Sequence, residues 1–143
     1  MKVSINKCHG GYCFSDEATL ELLKRGSPVV KLTPYDKYYG STFEAMISEK
    51  EKADKIAKDK AMWSRMNHGV VYTDDGVVSS ADRYDSGSRH DPILIALIEE
   101  WGGKRVSGKC ADIQIVEIPD GIKYEIEEYD GREHIAEAHS TWY

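Results

Sequence analysis

Long hydrophobic runs are absent from this 143-residue chain. No segment approaches the roughly 18 consecutive apolar residues of a membrane span. The amino-terminal MKVSINK carries no apolar stretch of the secretory type, so the expected compartment is the cytoplasm. Cysteine is scarce: Cys8, Cys13 and Cys110 are odd in number and share no framework spacing. That excludes a disulfide scaffold and agrees with a reducing compartment. Surplus positive charge is also lacking. With 19 Lys and Arg against 25 Asp and Glu, the net charge of −6 excludes a general nucleic-acid binder, because neutralising phosphates requires an excess of cations. Strong catalytic motifs are missing too. Phe14 stands six residues after Cys8, where a phosphatase-type loop needs arginine.

What is present fits one globular domain. Apolar residues make up 41% and charged residues 31%, enough for a core and a wet surface. Nine Tyr and three Trp against two Phe give mostly rings with a polar handle, suited to half-buried positions and interfaces. Tyr35, Tyr38 and Tyr39 cluster in one expected loop, as rim residues over a sheet.

The periodicities predict α+β architecture. KVSIN (2–6) alternates as a first strand. Ser15 caps a helix to about Arg25, with Gly26 behind it. PVVKLT (28–33) reads as a short strand. Ser41 and Glu44 match a capping box opening a long charged helix to about Trp63. VVYT and VVSS flank a DDG turn as a hairpin over 70–80. Residues 81–88 read as a polar loop. Asp91 caps a helix with Pro92 in its first position and a stripe of Ile93, Leu94, Leu97, Ile98 and Trp101. The tail alternates around Asp120-Gly121 and Asp130-Gly131, predicting a three-stranded antiparallel meander. Together with the first strand it forms a sheet packed against the two main helices. Residues 35–80 form a helical and hairpin insertion.

Charge is distributed unevenly. Residues 111–143 hold nine acids against Lys123 and Arg132, while the first 110 residues are nearly balanced. On a meander, Glu117, Glu125, Glu127, Glu128, Glu133 and Glu137, with Asp130 and Tyr129 nearby, would line a wet face. Such a face can imitate the phosphates of a nucleic acid and occupy a basic groove of a host protein; the plainer reading is a solvated face that keeps sheet edges apart. A second candidate is an anion pocket. Cys8, His9, Gly10 and Gly11 lie between a strand and a helix, a layout that turns backbone N–H groups towards an anion. Arg89 and His90 stand at the start of the Asp91-Pro92 helix, where a guanidinium can bind phosphate bidentately. If the two loops meet, they form one pocket that binds a nucleotide or another small anion, or that serves a small enzyme acting on one, with Cys8 as nucleophile and His90 as proton shuttle. Their plainer readings are a tight turn with a small thiol, and a capped helix with a surface ion pair. No metal site, cofactor or catalytic residue is expected: Cys8, His9 and Cys13 lack a second ligand pair. A purely structural homo-oligomer is the third reading.

Three blocks, INKCHGGYCFS, RHDPILIALIEEWG and IVEIPDGIKYEIEEYDGREHIAEAHSTWY, together resemble a family of small proteins of bacteriophages, prophages and bacteria. That family shows a Cys-aromatic-Gly-Gly segment, an Arg-His-Asp-Pro helix start and a glutamate-rich ending in Thr-Trp. The resemblance spans about half the chain. Here His9 replaces the aromatic, and Ser140 replaces an arginine before Thr141-Trp142. The resemblance implies a phage or mobile-element context, and hence a host protein as partner, rather than a reaction. The favoured expectation is a small binding protein that interferes with a host protein through its acidic face.

Overall fold

The computed structural model describes residues 1–81 and 88–137. Its elements run β1 (Lys2–Asn6), α1 (Asp16–Lys24), β2 (Val30–Thr33), α2 (Tyr35–Tyr39), α3 (Ser41–Glu44), α4 (Glu49–Met66), β3 (Val71–Tyr72) and β4 (Val77–Ser80). A 3-10 turn (Ser88–His90), α5 (Pro92–Trp101), α6 (Gly103–Val106), β5 (Ile113–Glu117), β6 (Tyr124–Tyr129) and β7 (Arg132–Glu137) follow. The fold is α+β, and every strand pairing described is antiparallel. Most of the expected polar loop, and the ending with Ser140 and Thr141-Trp142, lie outside the described residues.

The strands form three small sheets: β1–β5, β2–β4–β3 and β6–β7. This corrects the expected three-stranded meander. β5 pairs with β1, from Lys2↔Glu117 to Asn6↔Ile113, and β6–β7 is a separate ribbon. The reason lies at the Asp120 turn. The Met1 ammonium donates to the Ile118 carbonyl at 2.6 Å, and the Ile118 N–H donates to the Met1 carbonyl at 2.8 Å. The same ammonium lies 2.7 Å from Asp120 Oδ1 and holds that carboxyl below its usual range. The turn thus serves the β1 ladder, and the long stretch between Glu117 and Tyr124 is no tight hairpin loop.

The two main helices form a cover, but on two sheets and not on the single sheet expected. α5 starts where Asp91 Oδ2 accepts the Leu94 N–H at 3.0 Å, and it buries Leu94, Ile95, Leu97 and Ile98 against β1 and β5. α1 starts where Ser15 Oγ accepts the Ala18 N–H at 3.2 Å, and it packs Ala18 and Leu22 on β2, β4 and α5. Tyr12, Phe14, Val30, Val78, Val106 and Ile113 complete the core.

The central segment departs from the reading in detail. Ser41 heads a four-residue helix, and the long helix begins at a second serine. Ser48 Oγ accepts the Glu51 N–H at 3.2 Å while Glu51 Oε2 accepts the Ile47 N–H at 3.2 Å, a near variant of the capping box. α4 itself has no buried residue. Aromatic rings dock it. Tyr39 stacks on Phe43 at 4.5 Å, and its hydroxyl lies 2.7 Å from Asp59 Oδ2 and 2.8 Å from the Tyr72 hydroxyl. The loop tyrosines therefore join α2 to α4 and β3.

Leu97 is fully buried, whereas Leu20 on α1 is 41% exposed. Leu97→Ala is expected to lower stability by about 2–5 kcal/mol in urea denaturation, and Leu20→Ala by about 0.5 kcal/mol or less.

Candidate functional site

β1 is buried from Val3 to Asn6, yet among the described residues it has one strand partner. The Met1–Ile118 bonds and the Lys7 N–H to Asp112 carbonyl bond (2.8 Å) show that odd residues face β5. Ser4 and Asn6 therefore turn their backbone groups to the opposite edge. Among the described residues no strand covers that edge. An ion pair does. Arg89 Nη1 donates to the Ser4 carbonyl at 3.4 Å, and Glu133 Oε1 accepts the Asn6 N–H at 2.9 Å. Between them the guanidinium grips Glu133 bidentately, at 2.6 and 2.9 Å. Arg89 and Glu133 are 2% and 6% exposed. The guanidinium also lies over the Tyr12 ring, 3.7 Å from its centroid. The pair supplies one donor and one acceptor where a neighbouring strand would present its own.

Asn6 extends this contact to the Cys8 loop. Its Nδ2 donates to the Cys8 carbonyl at 2.6 Å and to the Gly131 carbonyl at 2.7 Å. Its Oδ1 accepts the Cys8 N–H at 3.2 Å and the Asp112 N–H at 2.8 Å. The β6–β7 turn sits on this loop so closely that a Cβ on Gly131 would overlap the His9 carbonyl, and Gly131 has φ +87°. On the loop's other side, a Cβ on Gly10 would overlap the Cys110 carbonyl.

These contacts place the candidate anion-pocket residues. The Cys8 and Arg89 segments do come together, linked through Asn6 and Glu133. What they enclose is packed. The Arg89 fork faces Glu133, and Gly10 and Gly131 lie against neighbouring backbone. His9 is exposed. His90 turns elsewhere, its ring 6.3 Å from that of Tyr124. It lines a shallow groove of about 320 Å³ with Met1, Lys2, Pro92, Ile95 and Glu99, across which Lys2 pairs with Glu99 at 2.9 Å. Among the described residues, no group of three or more His, Cys, Asp and Glu side chains is placed to hold a metal ion.

The expected acidic face is dispersed. Glu117 is exposed on β5, in another sheet from the ribbon. Within the ribbon the register Glu125↔Ala136, Glu127↔His134 and Tyr129↔Arg132 sets one face, and Ile126↔Ile135 with Glu128↔Glu133 sets the other. Glu133 thus belongs to the inner face, a correction to its expected place in water. Glu128 shares that face but is exposed near the tip, where its Oε1 accepts the Gly131 N–H at 2.9 Å. Glu137 pairs in register with Tyr124. The outer face carries Glu125, Glu127, Tyr129, Arg132 and His134, all exposed. His134 Nε2 lies 3.1 Å from Glu127 Oε2. Tyr129, beside the turn, is 78% exposed.

Ser4, Asn6 and Tyr12 were not singled out from the sequence, although Ser4 and Asn6 alternate with the buried Val3 and Ile5. Period two gave a usable signal for Glu133. A two-residue turn aligns it with Ile135, and an acid on an apolar face calls for a buried cation.

Comparison with protein-family models, curated proteins and solved structures finds no match to this chain.

Glu133→Ala is expected to cost about 3–5 kcal/mol, since it leaves Arg89 buried without its carboxylate. Glu133→Gln keeps an acceptor for Asn6 and costs less; Glu125→Ala stays within about 0.5 kcal/mol. Urea unfolding of the three variants checks the order. A second expectation concerns alkaline pH. Burial pushes the Tyr12 phenol up to about 12, against the pull of Arg89 and the Ser4 hydrogen bond, and burial does the same at Tyr72. A phenol raised above its unfolded value of about 10 contributes stability that is complete below that pH. That stability is lost as pH rises through the folded value. The urea midpoint should therefore fall between about pH 10 and pH 12, and fall less in Tyr12→Phe.

Proposed function

We propose that this is a small binding protein of phage or mobile-element type, which contacts and interferes with a basic host protein through the outer face of the β6–β7 ribbon. One observation carries the reading. A tyrosine that is 78% exposed shares the outer face with Glu125 and Glu127, on a ribbon whose inner face is clamped by a buried ion pair. Exposed aromatics with a charged rim are the common anchors of protein interfaces, and a two-stranded ribbon holds its shape only when one face is packed. The Arg89–Glu133 clamp meets that requirement, so the outer face is presented with little ordering left to be done on binding. Carboxylates at Glu125, Glu127, Glu128 and Asp130 outweigh Arg132 on this end, which favours a cationic partner. The phage context rests on the resemblance of three sequence blocks.

The test is a pull-down from host lysate with wild type and the Glu125→Lys/Glu127→Lys variant. The expected outcome is a protein retained by wild type, lost by the variant and released as salt rises. A partner held equally by both, at all salt concentrations, overturns the acidic-face reading. Tyr129→Ala should weaken the same capture by about tenfold or more, the scale of an anchor residue, with no change in the urea midpoint.

A further inference from the structure

We infer that the outer edge of β6 receives a basic segment of the partner as an added strand, an inference that rests on the binding reading above. The two-residue Asp130-Gly131 turn, with φ +51° and +87°, makes Tyr129 and Arg132 a hydrogen-bonded pair. By the alternation of antiparallel ladders, Glu125, Glu127 and Tyr129 direct their backbone groups to β7, and Ile126 and Glu128 direct theirs away from it. Among the described residues no strand pairs with that edge. The corresponding edge of β1 is filled by Arg89 and Glu133, whereas the β6 edge has no such filling at Ile126 or Glu128 among the described residues.

Charge selects the occupant. A second copy of β6 laid on this edge would bring Glu125, Glu127 and Glu128 near their own counterparts, and like charges across a strand pair are unfavourable. A strand with Lys or Arg at alternate positions instead sets its cations beside Glu125 and Glu127 on the outer face. Its intervening side chains then fall on the face of half-buried Ile126. Main-chain bonds supply affinity, and alternation supplies selectivity.

The experiment uses the full chain and two synthetic peptides of one composition: an alternating Lys-Val repeat and its block isomer, with lysines and valines segregated. Amide exchange is followed by NMR. At a concentration about ten times its dissociation constant, the alternating peptide should slow exchange at Ile126 and Glu128 by about tenfold. N-methylation of its edge-facing amides should abolish this, and the block isomer should bind more weakly. Equal binding of both isomers with unchanged exchange at these two amides overturns strand addition and leaves the charge-driven reading standing. Failure of the alternating peptide to bind overturns the inference as well; the lysate experiment then decides separately whether the binding reading survives. Protection of Ile126 and Glu128 without peptide, growing with protein concentration, assigns the edge to a second copy and overturns the inference.

Discussion

The buried pair between Arg89 and Glu133 is the contact on which the architecture turns. β1 lies inside the molecule with one strand beside it, and its second edge would otherwise leave the Ser4 carbonyl and Asn6 N–H without partners. Each unsatisfied buried group costs about 1–3 kcal/mol. Two ions in the interior are themselves expensive, by several kcal/mol each. Here the geometry offsets that cost: a two-pronged grip, one bond to each edge group, and the Tyr12 ring beneath the guanidinium. Lysine could not reproduce it, because a point ammonium neither forks onto a carboxylate nor stacks flat on a ring.

A similar arrangement holds α4. α4 is too polar to be held by a hydrophobic stripe, and it docks through tyrosines whose rings pack together while their hydroxyls reach Asp59 and each other. Lys55, 3.2 Å from Asp59, extends that set. In both places a charged side chain is retained on an inward face because an aromatic ring and a donor are fixed beside it. The polar aromatic composition, with tyrosine far ahead of phenylalanine, suits this mode of packing.

The parts of the fold that local chemistry determines were legible. Asp91-Pro92 and the Leu94, Leu97, Ile98 stripe mark α5, and Asp130-Gly131 marks the ribbon turn; each signal lies within a few residues of the structure it specifies. Partner choice between distant strands was not legible. Nothing near Ile113 indicates that β5 pairs with residues more than a hundred positions earlier, since Val3, Ile5 and the next strand of a meander satisfy the same alternation. The helix start at Ser48 was missed for another reason. Ser41 and Glu44 have the same spacing as Ser48 and Glu51, and only the break at Gly40, Ala45 and the exposed Ile47 separates a single turn from a long helix. The candidate site was half legible. Arg89 stood out, but its occupation by Glu133 required knowing that the ribbon folds back onto β1.

The ribbon shows why counting acids is a poor guide to an acidic surface. Glu127 and Glu133 are six residues apart around a two-residue turn, and the register sends them to opposite faces. One faces water and His134; the other faces a guanidinium in the core. The same carboxylate is therefore surface charge in one place and a surrogate for a strand's carbonyl in the other. Because the two faces are opposed across one backbone, the mount and the contact surface are chemically separable. Changes at Glu133 act on whether the ribbon is held, and changes at Glu125 or Glu127 act on what the held ribbon attracts. A surface built this way can vary its outer residues freely, since none of them contributes to the closure of β1.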